Sequence, residues 1–344
     1  MKKSDAILIS SVPNIIYLTG FSAFSETERE AFVLLTKNKK YIFTDKRYSE
    51  AVKKQTKGFE VNEDGAIYFL VYDAKQFFEK NNIKSLEVEE NNLTVAEYKS
   101  LRKFVKIIPS EFSNNRIIKT TNEIDLVKKA CKIGDEAFDF IITKLKVGIT
   151  EKEISDELTN FFKSKIADTS FKPIVAFGPN SSIPHHETSN IKLKRNQIVL
   201  LDFGVKINNY CSDMTRTVFF GRAPKEFIEM YNTVLKAQEL AISSIKEGIK
   251  SSVVDKSARD YILKQNYPNI IHSVGHGIGL EVHENPHISP NSKELLKNGM
   301  IFSIEPGIYI PKFGGVRIED LVLLREGNAQ LLSHSKREII EIND

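Results

Sequence analysis

Four carboxylates and a histidine interrupt the most apolar stretches in the second half of this chain. They are Asp202 in IVLLDFGV, Asp213 in YCSDMTRTVFF, His276 in SVGHGIGL, Glu305 in MIFSIEPGIYI and Glu319 in GGVRIEDLVLL. Each acid lies in a β-branched, apolar run of the kind that forms a buried strand. An ionised carboxylate buried there needs a compensating cation or a strongly shifted pKa. Four acids and one imidazole make an oxygen-and-nitrogen donor set suited to divalent ions, with more donors than one tetrahedral ion uses. The pattern restricts this half of the chain to folds in which distant strands converge, and it points to a two-metal hydrolase.

The spacings sharpen the expectation. Asn208 and Asn209 tolerate the positive φ of a tight turn. A hairpin centred between Ile207 and Asn208 would set Asp202 directly opposite Asp213. Such opposed residues share a face with Cα atoms about 4.5–5.5 Å apart, so two like charges there call for a cation between them. Strands at 300–310 and 316–324 flank PKFGG (311–315) as a second hairpin. Its simplest register misses a direct Glu305/Glu319 pairing by about two residues, which calls for a bulge or a staggered ladder. His276 sits between glycines that allow close backbone approach.

Six of the seven histidines (185, 186, 272, 276, 283 and 287) fall in this same region, which favours a site over scatter. His185, His272 and His283 are the catalytic candidates, with His185 preferred to His186 for the cleft; neutral imidazoles there can donate hydrogen bonds or move protons. His287 and His334 read as surface or packing residues, Tyr210 and Thr215 as wall residues, and Cys211 has no assigned role. Two motif matches are coincidental. His283–His287 fits H-E-x-x-H, but Pro286 breaks the helix a zinc protease needs. Asp202-Phe203-Gly204 fits D-F-G without the accompanying kinase loops.

At 344 residues the chain is long enough for two domains. A net charge of +4 without a basic block excludes a nucleic-acid arm. Two cysteines in unrelated contexts suit a reducing compartment. Lys2 and Lys3 precede AILISSVPNIIYL, but Asp5, Pro13 and Asn14 interrupt it and the run reads on into strand material at 16–21, so no signal peptide is expected. No segment reaches the about 18–20 apolar residues that span a bilayer. The expected location is cytoplasmic, with no nucleic-acid or membrane partner.

Strands at 6–10, 31–36, 40–45 and 85–90 alternate with helical spacings at 48–57, 66–81 and from Thr94 to about 104, an α/β pattern. Polar residues at 111–121 mark a boundary. Beyond it Asn122 is the expected cap of a long helix, Thr150 and Glu153 form a capping box, and further helices span about 223–247 and 251–265.

LDFGVKINNYCSDMTRTV, HSVGHGIGLEVHENP, IFSIEPGIYI and GGVRIEDLVLL together resemble the pita-bread metallopeptidases, specifically their aminopeptidase P and prolidase branch. The likeness covers about 116–340, and the leading segment is similar to a creatinase-type N-terminal domain. The implied fold class is α+β, with an α/β domain at 1–115 and a pita-bread catalytic domain at 116–344. The resemblance implies that Asp202, Asp213, His276, Glu305 and Glu319 hold two divalent ions, manganese first, with cobalt, iron or zinc as alternatives. Asp213 and Glu319 would bridge the pair, Asp202 would bind one ion, and His276 and Glu305 the other. Creatinase shares the fold but lacks these ligands, all of which are present here. The implied reaction is hydrolysis of the bond before a proline, with Glu305 moving the proton. His272 and His283 would contact the intermediate or the proline side, His185 would line the cleft, and Arg317 would hold a ligand carboxylate. The expected partners are a proline-containing peptide and a second copy in a homodimer. The two activities share these motifs; the balance favours aminopeptidase P, with prolidase and a non-catalytic metal scaffold as alternatives.

Overall fold

A computed structural model describes residues 4–343, and the chain divides into two compact units after Arg116. The first is built on a six-stranded mixed sheet. Its strands run in the order Glu60–Asn62, Lys40–Phe43, Phe32–Thr36, Ala6–Ile9, Ser85–Glu89, Lys106–Ser110. Phe43 and Phe69 stack at 3.6 Å in the core beside the sheet. The strand expected at 16–21 is instead the end of a helix, Val12–Thr19. Pro13 occupies its first turn, where a missing N–H costs nothing, and Gly20 closes it at φ 73. The helical run after Gly65 contains a π-turn, Phe69–Asp73, that the apolar spacing alone does not reveal.

In the second unit, two helix pairs cover two interrupted hairpins. The helix Thr121–Ile142 is capped by Thr120, not Asn122: Thr120 Oγ1 accepts from the Glu123 amide while Glu123 Oε2 accepts from the Thr120 amide. Thr150 and Glu153 cap Glu151–Ser164 in the same reciprocal way. Ala130, Phe138, Ile154 and Phe162 of this pair pack on Val199, Leu201, Phe203, Val218 and Phe220. The second pair, Lys225–Ser244 and Ser251–Lys264, packs Met230, Val234, Val254 and Ile262 against Ile304, Ile308, Val316 and Ile318.

The first hairpin joins Gln197–Phe203 and Val205–Ile207 to Tyr210–Cys211 and Met214–Phe220. Its turn is Asn208-Asn209, at φ 45 and 71, one position beyond the expected centre. Thr215, not Asp213, therefore faces Asp202, and the two aspartates are diagonal neighbours on one face. Asn-Asn suits this turn because both central residues need positive φ.

The second hairpin joins Ile301–Ile304 and Gly307–Ile310 to Gly314–Arg317 and Asp320–Arg325. Ile304 faces Asp320 on one side of the interruption and Gly307 faces Arg317 on the other, so Glu305 and Glu319 stand opposite one another. No stagger is required. The loop is Pro311-Lys312-Phe313, with Lys312 at φ 68, and both glycines belong to the returning strand.

Candidate metal centre

Alternation explains which side chains meet. Val199, Leu201 and Phe203 point at the first helix pair, leaving Asp202 on the other face, with Asp213 and Thr215 beside it. In the second hairpin Ile304, Ile308, Val316 and Ile318 face the second helix pair, leaving Glu305, Arg317 and Glu319 on the opposite face. The two hairpins are tied by the Glu319 amide donating to Thr215 O (3.1 Å). His276 comes from the short strand Gly275–Gly277, which pairs with Glu284–Ile288. The glycines on either side of His276 answer a packing need: a Cβ at Gly275 would lie 1.9 Å from Ser303 O, and one at Gly277 2.2 Å from Asn285 O. His283–His287 leads into and through that extended strand and forms no helix.

Asp202, Asp213, His276, Glu305 and Glu319 line one cavity of about 550 Å³ together with His185, His272, His283 and Arg317. Donor atoms of Asp213, His276 and Glu319 all lie within 4.8 Å of one another. His276 Nε2 stands 3.3 Å from Glu305 Oε1 and 3.6 Å from Asp213 Oδ2. Its Nδ1 faces Gly277 O at 3.1 Å, which places the proton on Nδ1 and leaves the Nε2 lone pair turned toward the carboxylates.

Three buried oxygens in this cluster have no hydrogen-bond donor: Asp202 Oδ1, Asp213 Oδ1 and Glu319 Oε1. Burial pushes the carboxyl groups of Asp213, Glu319 and Glu305 up, and for Asp213 and Glu319 the neighbouring carboxylates push further. Burial pushes His272, His276 and His283 down, toward the neutral form. Orphaned anionic oxygens and an imidazole lone pair facing one another are unfavourable without a cation and well suited to a hard or borderline divalent one. The residues present fit such an ion.

Arg317 supplies the only guanidinium among the described residues lining this cavity. Its Nη2 donates to Asp202 Oδ2 (2.5 Å), its Nε to Thr215 Oγ1 (3.0 Å) and its Nη1 to the Tyr309 hydroxyl (2.9 Å). Thr215 Oγ1 in turn donates to Glu319 Oε2 (2.7 Å). His272 Nδ1 donates to Ser273 O (2.7 Å), so its Nε2 accepts from the Tyr309 hydroxyl (2.8 Å). A continuous chain of donors thus runs from the guanidinium through Tyr309 to His272.

Residues 125–326 match metallopeptidase family M24, and residues 1–127 match the creatinase/prolidase N-terminal domain. The chain belongs to metallopeptidase family M24. An uncharacterized peptidase of Bacillus subtilis is 38% identical over 343 residues, covering 98% of this chain and 95% of that one. The solved Xaa-Pro dipeptidase of Bacillus anthracis superposes with a TM-score of 0.91 at 34% identity, over 98% of this chain and 95% of that one. The X-Pro aminopeptidase of Thermotoga maritima gives 0.90 at 32%, over 99% and 96%. Further similar structures are of prolidases or dipeptidases. This M24 peptidase has the creatinase-type α/β domain and the pita-bread domain in that order, and the family implies a divalent metal.

Several residues at the M24 cavity escape a reading of the sequence. His287 is exposed, as expected of a surface residue, but it also lines the cavity and pairs with His276 across two strands. Thr215, expected only as wall, bridges Arg317 and Glu319. Tyr309 and Ser303 carry no motif that singles them out. Tyr309 shares alternation with Glu305, four residues earlier, and that spacing is the available signal. Ser303 Oγ donates to Glu305 Oε1 (3.1 Å) and accepts from the His276 amide (3.1 Å). His185 lines the cavity, while His186 Nε2 lies 2.9 Å from Glu151 Oε2. Cys131 and Cys211 are both buried. Among the described residues no helix is long and apolar enough to cross a membrane.

Proposed function

We propose that this chain is a metal-dependent Xaa-Pro dipeptidase, with residues 1–115 as its N-terminal domain and 116–344 as its catalytic domain. The observation that carries the metal chemistry is the set of three donor-less buried carboxylate oxygens beside the His276 Nε2 lone pair. The preference for dipeptides departs from the sequence-based expectation of aminopeptidase P. It is supported by the similar dipeptidases and prolidases, which outnumber the aminopeptidases among those described above.

In this reading Asp202, Asp213, His276, Glu305 and Glu319 would hold two divalent ions, manganese first. When bound, the ions supply Lewis acidity and make a water nucleophilic at neutral pH. The protein's own groups do the rest. Glu305, with Oε1 held by Ser303 Oγ, takes the proton of the attacking water and returns it to the departing proline nitrogen. Arg317 fixes the Asp202 carboxylate. His272, anchored by Ser273 O and Tyr309, and His283 contact the intermediate or the proline side. His185 closes the cavity wall. A cytoplasmic homodimer completes the proposal, and light scattering tests the assembly.

The deciding experiment compares Gly-Pro with an Arg-Pro-Pro-type tripeptide, using manganese-loaded and chelated protein. Cleavage of the dipeptide alone, lost on chelation and restored by Mn²⁺ or Co²⁺, is expected. Cleavage of the tripeptide alone would return the assignment to aminopeptidase P. Turnover that ignores chelation would refute the metal mechanism, and no turnover of either peptide would favour the scaffold.

A further inference from the structure

One wholly buried carboxylate of the second unit takes no part in the metal cluster, and its partners all belong to the segment that presents His185. Glu151 opens the helix Glu151–Ser164 and is 0% exposed. Its Oε1 accepts from the Phe177 amide (2.9 Å) and Asn180 Nδ2 (2.7 Å). Its Oε2 accepts from the Ser189 amide (3.0 Å), Ser189 Oγ (2.6 Å) and His186 Nε2 (2.9 Å). Burial pushes this carboxyl up, but the donors outweigh it and hold the group below its ordinary range. Glu151 is thus a carboxylate, and His186 Nε2 carries the proton it accepts.

These bonds grip the segment 177–189, which opens with a 3-10 turn at Gly178–Ser182 and is irregular from 183 on, at its start and toward its end. Between Asn180 and Ser189 the His186 amide donates to Ile183 O (3.1 Å), closing a turn around Pro184 and His185. Pro184 O accepts from Arg317 Nη1 (3.4 Å), and His185 lines the cavity. The two adjacent histidines diverge: one faces the cavity and its neighbour faces the buried acid. A loop without a strand or helix around His185 has no ladder to hold that imidazole. We propose that Glu151 and His186 are positioning residues that fix His185 against the substrate. A displacement of about 1 Å at such a group can cost about 100-fold in rate. The proposal rests on the peptidase reading above.

The test is a double-mutant cycle on metal-loaded protein. Glu151→Gln, His186→Phe and His186→Gln are each made alone and in a His185→Ala background. His186→Phe loses a single bond, which guards against outright unfolding of the Glu151 variant. With His185 present, Glu151→Gln and His186→Phe should lower kcat/KM about 10–100-fold at unchanged metal content, chiefly through kcat. His186→Gln, whose amide can still donate to Glu151, should recover most of that loss. In the His185→Ala background the same changes should cost less than about twofold, since they act through the missing ring. Equal losses in both backgrounds, or full activity with His185 present, would overturn the proposal. Independently of turnover, the His185 Cε1–H NMR signal should broaden or split in Glu151→Gln and His186→Phe. An unchanged, sharp signal refutes the clamp even if the protein cleaves no Xaa-Pro peptide.

Discussion

Replacing Thr215 by valine removes one oxygen from the wall of the metal cluster and almost nothing else. The hydroxyl is wholly buried, donates to Glu319 Oε2 at 2.7 Å and accepts from Arg317 Nε at 3.0 Å. Arg317 is charged, and a hydrogen bond to a charged group contributes about 1.5–3 kcal/mol; burial and the neighbouring carboxylates push Glu319 toward its neutral form, whose bond contributes about 0.5–1.5 kcal/mol. Arg317 keeps Asp202 and Tyr309 as acceptors, and the added methyl returns about 0.8 kcal/mol of burial. The net cost to the cation-free protein is then about 1–4 kcal/mol. Glu319 also loses the donor that orients it, and loss of such a partner weakens metal affinity about 10–100-fold. Urea unfolding of chelated protein should show a lower midpoint at unchanged slope. Competition with a chromophoric chelator should show the weaker metal binding. If stability changes by less than about 0.5 kcal/mol and affinity by less than twofold, the hydroxyl does not bridge these charges and the donor chain is wrong.

Asp213→Asn should abolish turnover and lower the bound metal by at least one ion per chain, measured by elemental analysis; an active variant with full metal content would exclude Asp213 as a bridge. Cation binding should release protons. Burial and then the neighbouring carboxylates raise Asp213 and Glu319 above their ordinary 3.8 and 4.5, so the folded, cation-free protein holds protons the unfolded chain has lost. Their contribution to stability is full below those ordinary values and declines as pH rises through the raised ones. The depressed His272, His276 and His283 act in the opposite sense below about 6.5, so the measurement belongs above it. Calorimetry in two buffers of different ionisation enthalpy should show proton release that shrinks, and affinity that grows, with rising pH; no release at any pH contradicts the raised carboxyl groups. Arg216→Met alone should cost about 3–5 kcal/mol by stranding Asp320 in the core, whereas Arg216→Met with Asp320→Leu should recover much of it. Urea unfolding decides this, and additive losses would show that the pair is not coupled.

The site was more legible than the register that builds it. Apolar runs broken by single acids mark Asp202, Asp213, Glu305 and Glu319, because a charge inside an apolar strand is too costly to keep unless a cation balances it. Turn centres are harder: Asn208 and Asn209 both tolerate positive φ, and the structure uses both where the expected hairpin was centred one position earlier. An error of that size shifts every partner by two, which is why Thr215 rather than Asp213 faces Asp202. The same sensitivity at Pro311–Gly315 turned a direct Glu305/Glu319 opposition into an apparent stagger. Local rules failed in the first unit where two signals competed. Ile15 and Ile16 look strand-like, but Pro13 and Gly20 punctuate the segment as a short helix. Glu151 could not have been read from its helix, because its partners lie 26 to 38 residues away along the chain.

Both hairpins break their ladders beside the acids, and this explains how like charges are held together. Asp213 lies between Tyr210–Cys211 and Met214–Phe220, Glu305 between Ile301–Ile304 and Gly307–Ile310, and Glu319 between Gly314–Arg317 and Asp320–Arg325. Backbone released around Glu319 is taken up by the first hairpin, while the Glu305 amide donates to Val274 O (2.8 Å). The Glu319 amide donates to Thr215 O, Arg216 Nη1 donates to Glu319 O (2.5 Å), and Thr217 Oγ1 donates to Arg317 O (2.9 Å). Arg216 is itself 1% exposed and paired with Asp320 at 2.5 Å, so its charge is spent inside the scaffold and does not reach the cluster. The scaffold therefore fixes the carboxylates through neutral and already compensated groups, leaving Arg317 and His276 too little positive charge to balance four acids. Charge balance has to come from outside the chain, and a divalent cation meets that need with the donor atoms already in place.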